Sequence, residues 1–427
     1  MTGRDPAFVA DRSTTAARDW VWPGVAIAAI GWGANQFSPL IVLYQQHGVS
    51  PSATGLLFAL YAVSLVPALV IGGRWSDRIG RRKVVQAAVL LSLAGSLTLI
   101  LGAVHLWCLY PGRLLAGASS GLGFGAGAAW IRELSVTEGA ASAGPRRTTV
   151  AMSAGFGVGP LVAGVVAQWA PMPEVSAYLP QVVLAASALL LLRRARAVVT
   201  DSRPADSPPA PRRTLPARYL LFVLLPFAPW VFGTAAIALA FLPGLVATGA
   251  GTSPVAFAAV ATAVPAFAAV VVQPAAARVA GRRLLLVAMA SVVVALSVAV
   301  WAAATATVLP VLTACIALGA AYGITQFAGL SDVQRVAHPA RLGSATAAYQ
   351  ALCYVGFAVP YLLTISHTRF DWTALHALTI TLVVATVAAL WLLGTTISGR
   401  VTRIAPRNTA GPPNPAGSMA GWRDGVD

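Results

Sequence analysis

The sequence predicts an all-α integral membrane protein of twelve transmembrane helices, arranged as two pseudo-symmetric six-helix bundles. Three observations carry that expectation. The chain of 427 residues is 57% hydrophobic and only 10% charged, whereas soluble domains hold about 25% charged residues. Apolar runs long enough to cross a bilayer as helices recur along it, separated by polar turns. Its 29 lysines and arginines fall almost wholly in alternate turns, which the positive-inside bias assigns to one side of a membrane.

Spans are expected at 20–44, 54–72, 84–104, 107–131, 149–168 and 177–192, then at 219–246, 254–275, 284–303, 307–330, 343–365 and 374–396. Cations gather ahead of span 1 and in the turns after spans 2, 4, 6, 8, 10 and 12. Only Arg113, inside span 4, and Arg369, between spans 11 and 12, depart from that rule. One missed helix would throw about half of the cations to the wrong side, so the asymmetry supports the count. Trp107, Trp169, Trp301 and Trp372 fall at the opposite span ends, as an interfacial aromatic belt requires.

Both termini are therefore expected in the cytoplasm. The organisation reads as a tail (1–19), an N-terminal six-helix bundle (20–192), a linker (193–218), a C-terminal six-helix bundle (219–396) and a second tail (397–427). The linker is rich in Arg and Pro and has nothing with which to bury a core. Residues 1–19 are polar, and no cleavable signal peptide is apparent.

The net charge of +16 would suggest nucleic acid in a soluble protein. Here the charges lie between spans, so no nucleic-acid partner is expected. Cys108, Cys315 and Cys353 stand at no metal-ligand spacing and read as free thiols, so neither metal nor cofactor is expected. A single lysine, Lys83, among the cations, with abundant Ala and Val, points to a GC-rich bacterial genome and hence to a bacterial plasma membrane.

The turn after span 2, Gly72-Gly73-Arg74-Trp75-Ser76-Asp77-Arg78-Ile79-Gly80-Arg81-Arg82-Lys83, is the stretch around which the chain is organised. Its Gly80-Arg81-Arg82 returns about 200 residues later as Gly281-Arg282-Arg283, a degenerate repeat with Arg278 where Asp77 would map. Span 4 holds Arg113-x-x-x-Gly117-x-x-x-Gly121, and span 5 holds Gly155-Phe-Gly-Val-Gly159-Pro160-Leu-Val-Ala-Gly164. A guanidinium inside a span costs about 2.5–3.5 kcal/mol on insertion scales. Arg113 must therefore face a wet cavity or a partner, or snorkel to the surface.

In that order these three motifs resemble the major facilitator superfamily of transporters over residues 20–396. The third departs slightly, with Ala163 before Gly164 where the superfamily pattern has two glycines. The resemblance implies a parallel repeat of two bundles with the substrate site between them near mid-membrane. The span 5 pattern is associated with exporters, drug–proton antiporters above all. Gly73, Asp77, Arg78, Gly80, Arg81 and Arg82 would form a latch that shuts the cytoplasmic side. In it, Gly73 permits close helix approach, Asp77 meets the start of span 11 near Leu342, and Arg81 pairs with Glu133. A plain basic turn would need the cations but not Asp77 or the spaced glycines. In span 5 the prolyl residue would bend the helix and the glycines would let span 8 approach.

Candidate substrate-facing residues are Asn35 and Gln36 in span 1, Arg113 in span 4, Trp230 in span 7, Tyr322 and Gln326 in span 10, and Tyr349, Gln350 and Tyr354 in span 11. The offset of four in Tyr322/Gln326 and Gln350/Tyr354 puts each pair on one helix face. Each residue could equally be interhelical glue. Aromatics and amides in an apolar cavity suit a hydrophobic, neutral or weakly charged ligand.

The 13 acids all fall in tails, loops or span ends, whereas proton-coupled exporters keep a carboxylate inside a span. A proton as coupling ion would then have to use a rim group such as Glu133. The expected function is secondary active efflux of small hydrophobic compounds by alternating access, by a monomer whose partners are a small-molecule substrate and the bilayer. Metabolite uptake or facilitated diffusion is the alternative. A non-transporting scaffold would have no need of a latch. A membrane-embedded enzyme would need clustered acids, histidines or cysteines, and the sequence offers no such cluster, so no enzymatic activity is expected.

Overall fold

In lipid every backbone N–H and C=O needs an internal partner, which leaves helices as the economical form for long apolar runs. The computed structural model describes residues 19–138, 143–194, 215–246, 253–279, 281, 283–337 and 342–397. Among these, 12 helices are long and apolar enough to cross a membrane. Spans 1 to 6 are Val21–Gln46, Pro51–Ser76, Arg81–Leu101, Leu106–Thr137, Val150–Trp169 and Pro173–Leu191. Spans 7 to 12 are Ala217–Leu245, Pro254–Ala276, Arg283–Thr305, Val308–Val336, Ala348–Phe370 and Ala374–Thr396. Most of the expected linker and both tails lie outside the described residues.

The helices overrun the hydropathy boundaries at the basic end of the molecule. The helix of span 2 continues to Ile79 and the next begins at Arg81. The turn expected over twelve residues is thus a single one, Gly80, at φ 93° and ψ 148°. Side chains other than hydrogen scarcely tolerate that conformation. Gly281, its counterpart in the repeat, also has positive φ (65°). The helix of span 4 runs on to Thr137 and that of span 10 to Val336, so Glu133, Asp332 and Arg335 are helical residues. At the start of span 2, Ser50 caps the first turn by accepting from the Ala53 amide, and Pro51 follows it.

Four spans are interrupted, span 6 by a turn at 177–178 between Pro173–Ser176 and Leu179–Leu191. Span 1 has a turn at Gln36 between Val21–Asn35 and Phe37–Gln46. Span 7, with Pro226, Pro229 and Pro243, contains π-helical stretches at Leu220–Leu224 and Ile237–Phe241. Span 11 passes through a 3-10 stretch at Val355–Ala358 just ahead of Pro360. Proline withdraws an amide from the ladder, and such local adjustments re-satisfy the freed carbonyls. Span 5, by contrast, is helical without a break from Ala143 to Trp169 through Pro160.

The cores reveal how the halves meet. One combines Phe37, Tyr44, Phe58 and Tyr61 of spans 1 and 2 with Ala236, Val255, Ala258 and Phe357 of spans 7, 8 and 11. It lies toward the end remote from the basic turns. Toward the basic end the cores are separate: Ile27, Val85, Trp130 and Leu192 belong to the first half, and Tyr219, Phe227, Tyr349 and Leu392 to the second. A fourth core, around Val292, Val311 and Leu378, also belongs to the second half. Trp107, Trp169, Trp301 and Trp372 are all exposed at the remote end.

Candidate substrate pathway between the halves

The second half's side of the interface rests on a crossing that only glycine permits. A Cβ on Gly356 of span 11 would lie 2.2 Å from the Pro229 carbonyl oxygen and 2.4 Å from the Gly233 nitrogen of span 7. That contact brings Phe232, Tyr354 and Phe357 together. The rings of Phe232 and Tyr354 stack at 4.4 Å, and Phe232 also meets Tyr322 at 5.6 Å and Phe357 at 5.3 Å. Phe357 in turn stacks on Phe58 at 5.2 Å and touches Tyr61 at 5.7 Å. A continuous chain of six aromatic rings therefore joins span 2 to spans 7, 10 and 11.

Behind this chain lies Arg113. Its side chain is 1% exposed and neither lines open space nor snorkels outward. Nε donates to the Leu57 carbonyl at 3.0 Å and Nη1 to the Ala34 carbonyl at 3.3 Å. Its guanidinium carbon lies 4.7 Å from the Phe37 ring centroid and 5.1 Å from that of Tyr61. Carbonyls and ring faces thus solvate a cation that hydrocarbon would penalise. The expected cavity lining is corrected: Arg113 ties spans 1, 2 and 4 together and supports Tyr61 from behind.

The remaining candidates divide by burial. Asn35, Trp230, Tyr322, Gln326, Gln350 and Tyr354 are partly buried, and the Gln326 Oε1 atom is buried without a hydrogen-bond partner. Gln36 is 0% exposed and donates to Ser96 at 3.0 Å inside the first half. Tyr349, also 0% exposed, points its hydroxyl at the Thr325 carbonyl, 3.4 Å away. These two are bundle glue, not cavity lining, because one residue of helix turns a side chain through about 100°. Trp230 packs against both cores of the second half.

Three features escaped sequence reasoning. Gln181 of span 6 is buried and donates to Ser92 at 2.8 Å and to the Ala29 carbonyl at 3.0 Å. Its signal was a lone amide in an apolar run. Trp32, on the face of span 1 that meets span 5, has a buried indole Nε1 without a partner. Asp332 is 6% exposed; it accepts from the Tyr219 hydroxyl at 2.5 Å and from Arg335. Its near 200-residue offset from Glu133 was the available clue.

At the basic end Arg81 Nε donates to Glu133 at 3.2 Å and Nη1 to Ser76 at 2.5 Å. Arg82 donates to the Arg193 carbonyl at 3.2 Å, and Arg78 is exposed. The side chains of Asp77 and of residues 342–344, where its partner is expected, lie outside the described ones. Gly73 does not serve close approach, since a Cβ there would meet nothing within 4 Å. Its neighbour Gly72 does, with the Leu122 Cα only 2.9 Å from such a Cβ.

In span 5, Gly155 and Gly159 face span 1: their added Cβ atoms would reach the Ala28 oxygen at 2.3 Å and the Trp32 Cα at 2.9 Å. Of the motif's glycines, Gly157 and Gly164 meet span 8, their added Cβ atoms lying 3.0 Å from the Phe267 ring and 2.3 Å from the Ala259 Cβ. Among the described residues there is no group of three or more His, Cys, Asp or Glu placed to hold a metal ion.

Twelve spans in two halves, with an aromatic seam between them, define a polytopic membrane protein of the transporter type. The statistical model of the Major Facilitator Superfamily matches residues 21–360, and the chain belongs to that family. It is 35% identical over 160 residues to the class D tetracycline resistance protein of Salmonella ordonez, which is 36% of this chain and 38% of the relative. It is 30% identical over 119 residues to multidrug resistance protein 2 of Bacillus subtilis, 28% of this chain and 29% of the relative. The matched stretches thus span well under half of those relatives. Among solved structures, a peptide transporter aligns with a TM-score of 0.72 at 13% identity, covering 90% of this chain and 95% of the other. A D-xylose–proton symporter aligns at 0.63 and 15% identity, covering 90% and 97%. At such identities the likeness concerns the fold.

Proposed function

We propose that this chain is a secondary transporter exporting small, uncharged or anionic compounds with aromatic or polycyclic faces, by rocking its two bundles about the aromatic seam. The carrying observation is the seam itself. Six rings cross the interface, Arg113 is the charge behind them, and no carboxylate of the sequence falls within the middle of a span. Ring faces bind planar apolar ligands, and a positive potential without a nearby carboxylate selects against cations. The unpaired Trp32 donor and Gln326 acceptor suit a ligand carrying both kinds of hydrogen-bonding group. The relatives named for tetracycline and multidrug resistance support the outward direction.

In this reading the basic turns and both termini face the bacterial cytoplasm, where the two halves keep separate cores. The protein acts as a monomer without a cofactor, and catalyses no covalent step. Asn35, Gln350 and Tyr354 contact the ligand, and Arg81, Glu133, Asp77 and Gly80 govern closure of the cytoplasmic side. Coupling to protons runs through rim carboxylates, Glu133 with Arg81 and Asp332 with Tyr219.

Purified protein in liposomes tests this. Tetracycline is expected to move, faster under an imposed pH gradient, while the lipophilic cation ethidium stays. Ethidium movement at an equal rate would overturn the charge selectivity, and tetracycline movement indifferent to the gradient would remove the proton.

A further inference from the structure

At the end remote from the basic turns, the two halves are fastened by a side chain that no motif singles out. Gln168, one residue before the end of span 5, accepts two hydrogen bonds through Oε1 from the first turn of span 8. The Val255 amide donates at 3.0 Å and the Ala256 amide at 3.2 Å. The first amides of any helix have no partner within it and are normally served by the residue at the N-cap. Here Ser253 occupies that position and supplies no side-chain bond, unlike Ser50 at span 2. The cap of span 8 comes from the other half of the molecule.

The surrounding seam is closely packed. One turn earlier on the same face of span 5 lies Gly164, whose added Cβ would come within 2.3 Å of the Ala259 Cβ and 3.2 Å of both the Pro39 Cβ and the Val255 oxygen. With backbones that close, Gln168 reaches span 8 only while the halves are together here. Separation of the halves must break both bonds at once.

We propose that Gln168 is the gate residue of this end, a reversible inter-bundle cap that holds it shut and is released in each transport cycle. The inference rests on the alternating-access reading. It pairs with the sequence expectation for the basic end, where Asp77 would serve the start of span 11 across the same interface. The chemistry differs in one respect. A carboxylate at a helix start gains from the helix dipole, whereas the neutral amide of Gln168 gains only its hydrogen bonds, so this latch is the weaker and the easier to open.

The test measures opening without transport, so its outcome is separable from that of the function proposal. Ser38, 4% exposed and adjacent to Pro39 in the seam, is replaced by Cys in a Cys108→Ser background. Labelling by a water-soluble maleimide is then followed in nanodiscs, alongside hydrogen exchange of span 8's first turn. Removing an N-cap shifts an equilibrium by about fivefold. Gln168→Leu is accordingly expected to speed both labelling and exchange about fivefold. Gln168→Glu at neutral pH is expected to slow labelling by about two- to fivefold, a direction that misfolding would not produce. Faster exchange in span 8 with unchanged labelling would reduce Gln168 to a local cap and overturn the gate. Equal labelling in all three proteins would overturn it as well.

Discussion

Asn35 and Gln36 are adjacent amides with different surroundings. Asn35 is partly exposed, whereas Gln36 is sealed against Ser96. Gln36→Leu should cost about 1–2 kcal/mol by stranding the Ser96 hydroxyl, read as a fall of a few °C in melting temperature. Asn35→Ala should leave melting unchanged but slow tetracycline movement, read in the same vesicles. Arg113→Lys should fail to restore the transport lost in Arg113→Ala, because an ammonium cannot donate in a fixed fork to the Leu57 and Ala34 carbonyls while stacking on two rings. Equal rates for Arg113→Lys and the parent would contradict that geometry. The sequence marks such residues as functional or structural without distinguishing the two, because the runs around them are apolar on every side. Burial of Arg113 and Tyr349 follows from helix rotation, which no periodicity in these spans encodes.

At the scale of the element, the spans themselves were legible, because twenty apolar residues have few other destinies. Their ends were not. Hydropathy stops where charges begin, but the backbone ladder continues as long as residues tolerate helical angles, so spans 2, 4 and 10 run on into the basic end. Gly80 fell inside the expected twelve-residue turn, and its extended positive-φ conformation predicts that Gly80→Ala costs about 1–3 kcal/mol. Gly356→Ala should cost a similar 1–3 kcal/mol by overpacking against Pro229 and Gly233. Gly73→Ala should stay within about 0.5 kcal/mol. Thermal unfolding of the three variants in one detergent checks the ranking, and a Gly73→Ala loss matching the others would refute it. The Gly233–Gly356 crossing left only a faint trace in the sequence, small residues beside prolines in two spans distant along the chain.

For the whole molecule, the repeat and the alternation of charge announced two six-helix halves, yet not how far apart they sit. That follows from the cores: shared at the remote end, separate at the basic end. Alternating access requires the shared end to part during transport. Gly55 of span 2 and Thr364 of span 11 meet there, a Cβ on Gly55 lying 3.7 Å from the Thr364 Oγ1. Cysteines at both positions, in a Cys108→Ser background, can be joined by oxidation and released by reductant. If the halves rock, oxidation should abolish tetracycline movement in liposomes and reduction should restore it. A disulfide-locked protein that transports at the full rate would contradict the mechanism outright.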